Sequence, residues 1–179
     1  MDEQAKTPLM KPALIYGLIS AFIGILMSVI FYVLDLTMES WVGIVSIVVS
    51  IAVLIYLLRA YRNEYLDGFA TYGQLILMAL LIGLVSSIIM AVYTYLLYAV
   101  IDPDLIEKMK IMAEERIMNN PRISEGMYDM VMEKMEKRMT VNRMTINALV
   151  WGTVVTFILG LIIAAFLKKE KTPEQMAAE

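Results

Sequence analysis

Apolar residues along this chain fall in long unbroken blocks rather than in alternation. Ala13 to Leu34 runs 22 residues without a charge. As a helix rising about 1.5 Å per residue it covers roughly 33 Å, enough to cross the hydrocarbon core of a bilayer. Trp41 to Leu58 forms a second, shorter block. Ala70 to Ile101 holds 32 uncharged residues, more than one crossing needs, so the crossing is placed near Gln74 to Leu97 with its ends in the interfaces. Met144 to Leu167 is the fourth block. The pattern predicts an all-α integral membrane protein with four transmembrane helices, at 13–34, 41–58, about 74–97 and 144–167.

Between the third and fourth blocks the pattern becomes amphipathic. In DPDLIEKMKIMAEERIM, Asp102 is placed to cap a helix, Pro103 suits its first position, and Asp104 and Glu107 complement its positive end. Leu105, Ile106, Met109, Met112, Ala113 and Ile117 recur at helical spacing, with Glu107, Lys110 and Glu114 on the other side. NNPR breaks this helix, and Ser124 is placed to cap a second. There Met127, Tyr128, Val131, Met132, Met135 and Met139 share a face, mostly opposite Asp129, Glu133, Glu136 and Lys137. That helix is expected to run on into the fourth span. Residues 102–143 therefore read as an extracytoplasmic amphipathic helical hairpin. Residues 1–101 supply an N-terminal tail and three spans, and residues 168–179 a terminal tail.

Composition agrees, with 60% hydrophobic and only 18% charged residues. The first block exceeds a signal-peptide core and no small-residue cleavage pattern follows it, so it is expected to stay as an anchor. The net charge of −3 hides acids and bases that alternate, and no basic tract is suited to nucleic acid. Four spans put both termini on one side, with RAYRNEYLDGF between the second and third. That side carries Lys6, Lys11, Arg59, Arg62, Lys168, Lys169 and Lys171, whereas the first opposite loop, DLTMES, has no base. The hairpin segment holds eight Lys and Arg, but short loops set orientation, so the termini are expected in the cytoplasm.

Helices in lipid associate by close backbone approach, which favours small residues four apart. Ser20, Gly24 and Ser28 form such a stripe in the first span, with Gly17 and Ala21 beside it. Ala79, Gly83, Ser87 and Ala91 form one in the third, and Gly152, Thr156, Gly160 and Ala164 one in the fourth. These stripes are expected to pack the bundle. Tyr16, Tyr32, Trp41, Tyr56, Tyr72, Tyr98 and Trp151 fall near span ends, as an interfacial belt does.

The stretch YRNEYLDGFATYGQ, the opening YGLISAFIG, the step IDPDL and the charged helical insert before the last span together resemble a family of uncharacterised four-span bacterial inner-membrane proteins, known only as a domain of unknown function. The resemblance covers most of the chain. It implies a fold and a bacterial inner-membrane location, and no activity.

Candidate chemistry is sparse. The chain has neither histidine nor cysteine, which removes thiol chemistry and the commonest general base. It contains no Gly-rich phosphate loop, Gly-x-Ser-x-Gly elbow or zinc spacing. No catalytic residue and no cofactor is expected. No span carries an ionisable residue, which argues against an ion-coupled carrier; Gln74, Asn147 and the Ser86–Ser87 pair are the most polar positions. A small oligomeric channel or transporter accessory subunit rests on the stripes alone. EGMYDMVMEKMEKRMTVNRM sets six methionines among eight charged residues. Thioethers are soft ligands for Cu(I) or Ag(I), so Met127, Met130, Met132, Met135 and Met139 are the candidate metal set, with Met109, Met112 and Met118 nearby. Methionine is also an adaptable packing residue, and most of these fall on the apolar faces, Met118 and Met130 lying off them. The favoured reading is a non-enzymatic membrane protein in contact with the bilayer, whose hairpin packs on itself or meets a protein partner or a second copy.

Overall fold

A computed structural model describes residues 9–37, 39–121 and 123–170. Lys6 and Lys171 lie outside them. The elements are α1 (Met10–Val33), α2 (Ser40–Tyr65), α3 (Tyr72–Leu96) with a π-helical turn at Leu97–Ile101, α4 (Leu105–Met118), α5 (Glu125–Arg138) and α6 (Val141–Leu167). The described residues hold no β-strand, and α1, α2, α3 and α6 are each long and apolar enough to cross a membrane.

Each helix begins and ends for a local reason. Pro12 sits in the first turn of α1, where no intrahelical N–H bond is lost. The helix closes in a Schellman turn: Asp35 adopts φ 57°, its N–H donates to the Tyr32 carbonyl, and the Leu36 N–H donates to the Phe31 carbonyl. The second span runs well past Leu58 to Tyr65, so Arg59, Arg62 and Glu64 belong to a helix and not to a loop. It stops where Asp67 and Gly68 take φ 50° and 83°. A capping box starts α3, with Thr71 Oγ1 accepting from the Gln74 N–H and Gln74 Oε1 accepting from the Thr71 N–H.

The hairpin differs from expectation at three points. The first residue of α4 is Leu105, after Asp104, so Asp102 is not the cap and Pro103 does not hold the first helical position. Its carboxylate instead accepts from the Tyr32 hydroxyl at 3.1 Å and pairs with Lys108 at 3.6 Å, tying the top of α1 to the base of α4. Ser124 does precede α5, but its hydroxyl makes no capping bond. Finally, α5 does not continue into the fourth span: it ends at Arg138, and Thr140 begins α6 by accepting from the Arg143 N–H.

The bundle is built around α3, which packs on α6 along most of its length and on α1 beside it. Buried α3 residues Leu75, Met78, Ala79 and Ile82 meet Ala13 and Tyr16 of α1 and Ile163, Ala164 and Leu167 of α6. The second span joins this core through its second half, at Leu54, Leu57, Leu58 and Tyr61, with Ile51 and Val53 partly buried against it. Its first half touches α1 at Trp41, edge to face on Phe31, and leaves Ile44 66% and Val48 59% exposed. The side of the bundle nearest the termini is thus closed, and the side nearest the hairpin is looser.

Candidate functional site

The looseness of α2 opens a cleft of about 310 Å³ between α1 and α2, with Met90 of α3 at its back. Ser20, Gly24 and Ser28 line it, so the first-span stripe divides. Gly17 and Ala21 are buried, with Val85 of α3 only 2.5 Å from where a Gly17 Cβ would lie. Ser20, Gly24 and Ser28 line the cleft, and Gly24 also meets α3 there, Met90 Sδ lying 3.3 Å from where its Cβ would be. From α2 come Ser46 and Ser50, whose hydroxyls donate to the Val42 and Ser46 carbonyls at 2.8 Å each. The hydroxyl of Tyr93 donates to Ser28 Oγ at 3.2 Å. Ser20 and Ser50 also line a second hollow toward Trp151, Gly152 and Thr156 of α6. No property of α2's own sequence marks this face, because back-bonded serines in a helix look the same whether they meet lipid, protein or a cavity.

The third- and fourth-span stripes meet each other. A Cβ at Gly160 would collide with the Ala79 side chain; one at Gly83 would lie 3.0 Å from Thr156 Cβ, and one at Gly152 3.0 Å from Ser87 Cβ. Each step of four residues up one helix matches four down its antiparallel neighbour. Ser87 Oγ and Thr153 Oγ1 share a hydrogen bond of 2.6 Å across the seam, while Ser86 bonds back to Gly83. Ala91 and Ala164 are buried. The polar positions Gln74 and Ser86–Ser87 thus serve capping and packing, and Asn147 is exposed.

The stretch from Arg62 to Gln74 forms a clasp over the closed side. Arg62 Nη1 donates to the Leu167 carbonyl at 2.9 Å, holding the end of α6. Ala70 and Lys169 exchange two backbone bonds, at 2.8 and 2.9 Å. Tyr16 donates to Glu64 Oε2 at 2.8 Å and meets Tyr65 edge to face, which Tyr61 stacks upon. Tyr16 is buried and so leaves the interfacial belt. Together these bonds join α1, α2 and α6 at this end of the bundle. A family model described as a protein of unknown function, DUF4199, matches residues 15–169. The chain belongs to this family. No curated protein and no solved structure matches it. The DUF4199 match takes in the four spans, the clasp and the hairpin.

Among the described residues of the hairpin in this DUF4199 chain, Leu105 and Ile106, at its base, are the buried ones. Met109, Met132, Met135 and Met139 are half-buried, whereas Met112, Met118, Met127 and Met130 are exposed. The two helices are fastened by Tyr128, whose hydroxyl donates to Glu114 Oε1 at 2.7 Å. That bond to a carboxylate holds the Tyr128 phenol above its usual range, because it favours the protonated form. Periodicity alone assigns Glu114 to the outer face; a long side chain reaching across helices leaves no periodic signal. On the outside, Lys110 pairs with Glu107 and Lys137 with Glu133, the ordinary i,i+3 and i,i+4 pairs of a solvated helix. Among the described residues no three His, Cys, Asp or Glu side chains cluster as metal ligands. The soft-metal set has its own test. Changing Met127, Met132, Met135 and Met139 to Leu is expected to preserve helix content by circular dichroism, each swap costing under about 1.5 kcal/mol. The wild-type protein is expected to hold no Cu(I) against a chelator; a stoichiometric complex that the leucine variant lacks would establish thioether ligation.

Proposed function

We propose that this chain is a non-enzymatic multi-pass protein of the bacterial inner membrane, with its termini in the cytoplasm, whose external hairpin joins it to a second copy. The observation that carries this reading is the hairpin's incompletely covered apolar face: Met127 lies on it and remains 47% exposed, although its neighbours on that stripe are half-covered. Flexible thioethers suit an adaptable contact. Residues 102–143 hold nine acidic and eight basic side chains, so two hairpins approach with little net repulsion, and a two-fold pairing is the commonest way for identical chains to associate. The non-enzymatic part of the reading rests on a chain without histidine or cysteine.

Because the chain has no cysteine, single-cysteine variants give a clean readout. Met127→Cys in membranes is expected to form a disulfide-linked dimer under mild oxidation, and Glu136→Cys, on the charged side, to remain monomeric. Monomers in both, or equal linking from both, would refute pairing through this face. In intact cells Glu136→Cys, outside the proposed contact and exposed, is expected to react with an impermeant maleimide. Protection until the cells are opened would reverse the orientation.

A further inference from the structure

We propose that the cleft between α1 and α2 is a binding site for an uncharged amphiphile, an apolar chain bearing an alcohol or phenol head, taken up from the leaflet on the hairpin side. The site is independent of the hairpin contact proposed above.

Size and depth come first. At about 310 Å³ the cleft falls at the lower end of ligand pockets, roughly 300–1,000 Å³. Its lining reaches along α1 from Ser20 to Phe31 and on to Thr37 in the turn before α2. The helical part alone covers about 16 Å, close to half of a hydrocarbon core of about 30 Å. The cleft therefore has the depth of one leaflet. Toward the termini it is stopped by the core around Leu54, Leu57 and Leu58, and at the hairpin end Phe31 and Trp41 meet edge to face, so a molecule enters sideways from the leaflet, between α1 and α2.

Charge and hydrogen bonding then select the occupant. No lining residue is ionisable, and a charged group brought to this depth would lose its hydration with nothing to pair with. The wall is mostly apolar but carries four serines. Ser46 and Ser50 have already given their hydrogens to their own helix, so their oxygens face the cleft as acceptors. Ser28 accepts from Tyr93 and keeps its own hydrogen to donate. Ser20, shared between this cleft and the hollow behind it, keeps both functions. A wall that offers acceptors on α2 and donors on α1 is complementary to a group that both donates and accepts, which is what a hydroxyl does. A plain hydrocarbon chain would fill the volume and leave those groups unmatched.

The test uses the full-length protein in lipid nanodiscs and three diazirine-bearing probes of equal chain length: a primary alcohol, its carboxylate and the parent alkane. The alcohol is expected to label peptides within 20–31 and 42–53 saturably, in competition with unlabelled alcohol, and at least about tenfold more strongly than the other two. Ser20→Ala with Ser50→Ala nearly keeps the volume and removes one donor and two acceptors, and is expected to lower alcohol labelling on the order of tenfold while leaving alkane labelling unchanged. Val49→Phe, placed in the lining, is expected to block all labelling there without lowering the thermal midpoint. Equal labelling by alcohol and alkane would show a groove filled by ordinary lipid chains. Absence of saturable labelling by any probe would show a closed or water-filled space. Either result overturns the proposal.

Discussion

Gly160→Leu is expected to force α3 and α6 apart and to destabilise the bundle by about 3 kcal/mol or more. A Cβ at this position already collides with Ala79, itself fully buried, and the flanking approaches of Gly83 to Thr156 and of Gly152 to Ser87 are also tight. The seam cannot shift at one step without opening the next, and a shift would break the 2.6 Å bond between Ser87 and Thr153. In lipid no hydrophobic gain makes up for the broken packing, because the leucine finds the same apolar surroundings in the bilayer as in the bundle. The contrast is Gly43→Leu in α2, where nothing lies within 4 Å of the added Cβ; its effect is expected to stay within about 0.5 kcal/mol. Thermal or detergent-driven unfolding of the purified protein measures both. Equal losses from the two changes would mean that the α3–α6 seam is not where the backbones press together.

Arg62→Ala is expected to release the end of α6 and to cost about 2 kcal/mol, the range of a hydrogen bond from a charged donor reduced for partial exposure. The guanidinium satisfies the Leu167 carbonyl, one of the last-turn acceptors that a helix leaves open. The next residues, Lys168 and Lys169, lead directly into the backbone exchange with Ala70. Loss of the arginine is therefore expected to appear locally first, as faster amide hydrogen exchange at 167–170 and at Ala70, before any fall in the global midpoint. Arg62→Lys keeps the charge but not the planar fork, and is expected to recover only part of the protection. Unchanged exchange in Arg62→Ala would mean that the clasp is held by the Ala70–Lys169 bonds alone.

The four spans and the hairpin are legible in the residue order because their causes are local. A charge within a hydrocarbon-spanning segment is costly wherever the rest of the chain goes, so uncharged runs mark the spans. Periodicity of 3.6 likewise marks an amphipathic helix without reference to its partner. Spacing four apart picks out the seam stripes of α3 and α6 for the same reason. Helix ends are less legible. Arg62 and Glu64 extend α2 through Tyr65 because they find partners on α6 and α1, and Asp102 serves as a tether rather than a cap because Tyr32 and Lys108 lie within reach. That Gly17 presses on Val85 of α3 while Ser20, Gly24 and Ser28 line a cleft with Met90 at its back belongs to the tertiary arrangement alone. A small residue shows that something is able to come close. Whether a backbone or an empty space lies opposite is decided by how α2 leans against the other three helices, and that lean is a balance of contacts far apart in the chain.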